Sequence, residues 1–108
     1  MNIQSSTSKY QVSYGDGANF YTGGSRQTHT SEAIIQPNEW HQMVVVLNAA
    51  QDMKIYVDCI EYSGDYSGPG GQLQYSNLSG TIGRHDRSLV NTADYFKGVI
   101  DDFRYWNR

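Results

Sequence analysis

Apolar and polar residues alternate along most of this chain, and a period of two belongs to half-buried strands. Residues 9–14 set Tyr10, Val12 and Tyr14 against Lys9, Gln11 and Ser13. Asp16-Gly17 is a turn dipeptide and residues 19–22 read as the strand returning from it, which predicts a hairpin. Residues 23–31 are polar and read as a loop. A short strand from Glu32 to Ile35 follows, stopped by Pro37-Asn38. Trp40 to Asn48 is the strongest strand signal. From Met43 to Leu47 both of its faces are apolar, which predicts a strand covered on both faces and central in its sheet. A turn at residues 49–52 leads into Met53 to Asp58, where Met53, Ile55 and Val57 face together.

Beyond this hairpin the pattern thins. Gly64 to Gly71 is rich in glycine and reads as a flexible loop with Tyr66 near its centre. Leu73 to Tyr75 and Gly80 to Gly83 are short strand candidates, and Arg84 to Asp94 reads as a polar loop. Tyr95 to Trp106 closes the chain as an extended aromatic strand. No stretch carries the helical period, so an all-β sandwich or barrel is expected.

Composition narrows the class. The 108 residues fit one domain, 1–108. A net charge of −3 without a basic stretch disfavours nucleic acid as a partner. The apolar run Met43–Leu47 is far shorter than the roughly 20 residues of a membrane-spanning helix. No basic start leads into an apolar run, so no secretory signal is expected, and the compartment stays open. The single cysteine, Cys59, excludes an internal disulfide framework and reads most simply as a small buried residue.

Four segments then stand in a recognisable order: WHQMVVVLN, KIYVDC, GTIGR and the closing YFKGVIDDFRYWNR. This order resembles the laminin-G-like jelly roll of the concanavalin-A-like lectin/glucanase superfamily, and the closing motif is its most specific part. The resemblance implies an antiparallel β-sandwich, here shortened at the N-terminus relative to the family's full set of strands. It also implies, loosely, a binding module of a kind commonly found outside the cytoplasm. The family usually places glycine after Tyr-Val-Asp. Cys59 stands there instead, which predicts a turn of different geometry, because a side chain at positive φ costs about 1 kcal/mol or more.

Catalytic chemistry finds little support. Asp101 and Asp102 are neighbours, and on a strand they point to opposite faces and cannot jointly flank one bond. They are expected to be structural, one accepting hydrogen bonds inside the sandwich and the other pairing with Arg104. The Glu-x-Asp-x-Glu run of the related glucanases is absent; the glutamates are Glu32, Glu39 and Glu61. His29, His41 and His85 lack transition-metal spacing, His41 reads as structural, and no Gly-x-Ser-x-Gly elbow occurs. Calcium is the better metal candidate, with Asp16, Asp65, Asp86 and Asp94 in loops or turns. They form no dense calcium loop, and solvated loop acids are the simpler reading.

The candidate ligand-binding residues are therefore Tyr62, Asp65, Tyr66 and Tyr75 around the glycine-rich loop, with Arg84, His85, Asp86 and Arg87 beyond it. Aromatic rings stack on the apolar faces of sugars, while acids, amides and guanidinium groups bond the hydroxyls. For each tyrosine alone, suitability for strands explains its presence as well. The expected function is a non-catalytic binding module for carbohydrate or protein. The alternatives are an assembly element completed by a homodimer through the doubly apolar strand and, less favoured, a glycosidase-like hydrolase. On this reading, replacing Tyr66 by alanine weakens binding and leaves the melt almost unchanged.

Overall fold

The computed structural model describes residues 2–6, 9–17, 26–74, 82–87 and 92–107. Among the described residues every regular element is a β-strand, and the chain forms two compact units, Met1–Ser76 and Asn77–Arg108. The first contains β1 (Asn2–Ser6), β2 (Lys9–Gly15), β3 (Arg26–Ile34), β4 (Met43–Ala49), β5 (Asp52–Val57), β6 (Ile60–Tyr62) and β7 (Gly64–Ser67). These make a four-stranded antiparallel sheet in the order β1-β2-β3-β7 and a three-stranded one in the order β4-β5-β6. Their shared core takes Val12, Tyr14 and Ala33 from the first sheet and Met53, Ile55 and Val57 from the second. Tyr10, Met43, Val45, Leu47, Ala50, Tyr62 and Tyr66 pack around it, half-buried. The alternations at residues 10–14 and 53–57 thus set the inner faces as expected. The all-β antiparallel sandwich is present.

Several elements differ from expectation, each for a physical reason. The strand expected from Glu32 begins at Arg26, inside the expected polar loop. Its inward positions carry Gln27, His29 and Ser31, all buried, so no apolar alternation marks it. Gly64 to Ser67 is a strand rather than loop. Gly64 makes this possible, since a Cβ there would lie on the Thr30 carbonyl of the neighbouring strand. The central position expected for the doubly apolar strand β4 is not seen among the described residues. There β4 pairs with β5 alone, and β5 holds the middle of the sheet. The returning strand at 19–22 lies outside the described residues, as do Tyr75, Gly80 and Thr81; Leu73, Ile82 and Gly83 are not in strands.

The turn after β5 keeps the hairpin geometry despite its cysteine. Asp58 and Cys59 stand at φ of 51° and 67°, the pair of positive values a two-residue type I′ loop requires. The expected change of geometry at Cys59 does not occur, and Cys59 is exposed rather than buried. The turn is held from outside. The Asp58 N–H donates to the Gln42 carbonyl at 2.9 Å, and the Gln42 N–H donates to Asp58 Oδ1 at 2.8 Å. Cys59 itself gains only a long Sγ contact to Gln42 Oε1 at 3.6 Å. Replacing Cys59 by glycine should therefore stabilise the fold by about 0.5–1 kcal/mol, read as a higher denaturant midpoint at unchanged m.

In the second unit β8 (Arg84–Arg87) pairs with β9 (Thr92–Tyr95) as a two-stranded antiparallel ribbon. The segment expected to be a polar loop thus starts and ends in strands. The aromatic strand expected from Tyr95 to Trp106 is not formed: β9 ends at Tyr95, and residues 96–107 are not in strands. Asp102 stands at φ 53°, which breaks an extended run, and two local bonds hold it there. Its N–H donates to Asp101 Oδ1 at 2.8 Å, and Arg104 Nε donates to Asp102 Oδ1 at 2.8 Å. Arg104 pairs with an aspartate as expected. Neither carboxylate is inside a core, since both residues are exposed.

Candidate functional site

Strand β7 organises the first unit's candidate residues, and it separates them. Successive residues on a strand face opposite sides. Tyr66 turns inward, where its ring stacks on His29 with centroids 4.5 Å apart. Its hydroxyl accepts from the Met53 N–H at 2.8 Å and donates to the Met53 carbonyl at 2.9 Å. The reason lies in β5. Met53 precedes the span opposite β6, which covers β5 only from Ile55 to Val57, so its main chain lacks a strand neighbour on that side. The Tyr66 hydroxyl supplies both missing partners and ties the two sheets together. Tyr66 is a cross-sheet strut, not a ring at a loop tip. Tyr62, opposite Ile55, likewise packs its ring on the core.

Asp65 turns outward and is exposed. In register it stands beside Thr30, which stands beside Gln11. Gln11 Nε2 donates to Thr30 Oγ1 at 2.8 Å, and both residues are half-buried. One register step along, Ser13, Thr28 and Ser67 form a parallel row, in which the buried Ser13 and Thr28 hydroxyls share a bond at 2.9 Å. The outer face of the four-stranded sheet therefore carries amide, hydroxyl and carboxylate groups in two aligned rows. Sequence reading found Asp65 and missed Gln11 and Thr30, because a polar residue on an outer face leaves no signal apart from alternation.

Arg84, His85, Asp86 and Arg87 occupy β8 of the second unit, with His85 opposite Asp94 and Asp86 opposite Ala93. Tyr75 lies outside the described residues. Asp16 Oδ2 accepts from the Gly71 N–H at 3.1 Å and closes the chain's return near β2. Among the described residues no three histidine, cysteine, aspartate or glutamate side chains converge on a metal position.

Two histidines respond to pH in opposite directions. His29 is buried on the inner face of β3, and burial pushes its pKa below the ordinary 6.5; the Met53 backbone bond and the Asp65 charge only partly oppose this. His41 Nδ1 meets Asp58 Oδ2 at 2.8 Å and its Nε2 meets the Gln36 carbonyl at 3.1 Å. Both partners are acceptors, and only the imidazolium has a proton for each. The Asp58 bond, then the Gln36 bond, hold the His41 pKa above 6.5, and the same contact keeps the Asp58 carboxyl below its usual range. Linkage sets the signs. The His41 contribution is complete below pH 6.5 and is lost as pH rises through its raised pKa. Stability tied to neutral His29 is lost as pH falls from 6.5, because the unfolded chain takes the proton first. Melts from pH 5 to 8 should show His29→Leu flattening the acid-side decline and His41→Gln flattening the decline above neutrality.

No helix of the described chain is long and apolar enough to cross a membrane. No curated protein and no solved structure matches the chain significantly. A laminin-G-type family model, described as the concanavalin A-like lectin/glucanases superfamily, matches residues 2–108. With an all-strand structure and antiparallel sheets packed on one core, the chain belongs to that superfamily, as a laminin-G-like member.

Proposed function

We propose that this chain is a non-catalytic binding module whose ligand meets the outer face of the four-stranded sheet at Gln11, Thr30 and Asp65. One observation carries the reading: an exposed carboxylate, a hydroxyl and an amide stand side by side on adjacent strands, pre-aligned by the Gln11–Thr30 hydrogen bond. Such a row spans about 10 Å across the strands and offers both donors and acceptors on a rigid frame. That suits a short saccharide, whose hydroxyls need both, and the superfamily's membership of lectins supports the class. Aromatic stacking is no part of this surface, since Tyr62 and Tyr66 face the core. A protein ligand is the second reading of the same row.

The test is a glycan array with and without calcium, followed by calorimetry on any hit. Asp65→Asn and Gln11→Ala should each weaken binding about 5–30-fold, the worth of one or two hydrogen bonds, and at the exposed Asp65 the melting temperature should hold. A saccharide bound equally well by both variants would overturn the outer-face assignment. Release of reducing sugar from oligosaccharides would overturn the non-catalytic reading.

A further inference from the structure

Strand β7 reaches the core through one side chain. Gly64 has none, Asp65 and Ser67 are exposed, and Tyr66 alone packs inward. A cluster of three residues from three strands therefore holds β7 against the second sheet. Tyr66 stacks on His29 of β3 with the rings only 13° from parallel. Its hydroxyl and the His29 imidazole both bond the main chain of Met53 in β5. The His29 Nδ1 atom is buried without a hydrogen-bond partner. Val12 lies opposite His29 on β2, and Gln27 and Ser31 stand two residues to either side of it on β3. The inward titratable groups of the surrounding strands are Tyr10 and Tyr14 on β2, Tyr62 on β6 and Tyr66 itself. Strands β4 and β5 turn only apolar side chains inward. The charge that acts on His29 is Asp65, from the outward side of β7.

A second proton on this imidazole goes to Nδ1, where it finds no acceptor and sets a full charge among apolar side chains. We propose that His29 is a proton-operated latch: on protonation β7 swings out of the sandwich, taking Tyr66 off the imidazole, while β2, β3 and β5 stay packed. Swinging out opens the way for water to reach the new N–H. The strand is suited to moving as a unit. It is four residues long, it starts at Gly64, and Gly68 follows it at φ 92°, a conformation that glycine adopts freely. The movement gives up the pairings of Asp65 with Thr30 and of Ser67 with Thr28. Asp65 leaves with the strand, so acid also releases the ligand, an effect that rests on the outer-face reading proposed above. Open, His29 titrates at its ordinary 6.5; closed, burial holds it lower. Between those two values each pH unit of acid raises the open fraction by up to about tenfold, one proton being taken up per opening.

Native-state amide exchange of the full chain, corrected for the intrinsic pH dependence of exchange, tests the latch without any ligand. From about pH 7.5 to 5, the β7 amides should exchange faster than the Ile55 amide, because a local opening exposes them before the core unfolds. Below pH 6.5 their opening constant should rise by up to about tenfold per pH unit. His29→Gln keeps a polar side chain that takes no proton, and His29→Leu removes the polar group altogether. In both variants the pH slope at β7 should vanish. Amides of β7 and Ile55 exchanging together at every pH would overturn the proposal. So would a wild-type β7 opening constant that does not change with pH, or a slope retained in His29→Gln.

Discussion

Replacing Tyr66 by alanine should cost the first unit about 3–5 kcal/mol, a large part of the whole stability of a small domain. The ring is stacked on His29, and its hydroxyl is bonded to both main-chain groups of Met53, a residue only 3% exposed. Removing it opens a space beside a buried imidazole and leaves a buried N–H without a partner. Tyr66→Phe separates the two effects. It keeps the ring and removes the hydroxyl, so its cost should be about 1–3 kcal/mol, the penalty for orphaning buried polar groups. Chemical denaturation of both variants measures the difference. An alanine variant melting with the wild type would show that β7 does not tie the sheets together. The sequence reading expects that outcome, because a tyrosine between glycines looks like a loop tip.

Ile55→Ala should cost about 2–5 kcal/mol, with Ile55→Val between about 0.5 and 1.5. Ile55 is fully buried at the middle of the central strand, opposite Val45 on one side and Tyr62 on the other. Both flanking strands are anchored through β5, so little can collapse into the space that truncation leaves. Urea unfolding followed by tryptophan-independent circular dichroism gives both values. Equal costs for valine and alanine would show that the site relaxes and that the core is less tightly packed than its burial indicates.

How far the sequence could be read depended on whether a face was apolar. Val12 and Tyr14, and likewise Met53, Ile55 and Val57, were legible because alternating apolar residues have one low-energy arrangement, with one face turned from water. Strand β3 was not, because Gln27, His29 and Ser31 place polar groups on the buried side; Gln27 Nε2, His29 Nδ1 and Ser31 Oγ have no hydrogen-bond partner. Of the candidate site, Asp65 was legible as an acid, while its partners Thr30 and Gln11 were not, since register across strands is absent from local pattern.

The closing motif and the hairpins determined the superfamily and the all-β class by themselves, because short-range alternation and turn chemistry act within a few residues. Long-range pairing decided the rest. Whether Val-rich β4 sits at the middle or the edge of its sheet depends on which strands reach it. Whether Tyr66 meets ligand or core depends on where β6 begins and leaves Met53 uncovered. Both are outcomes of main-chain hydrogen bonds between residues distant in the chain, and those bonds are nearly independent of side-chain identity.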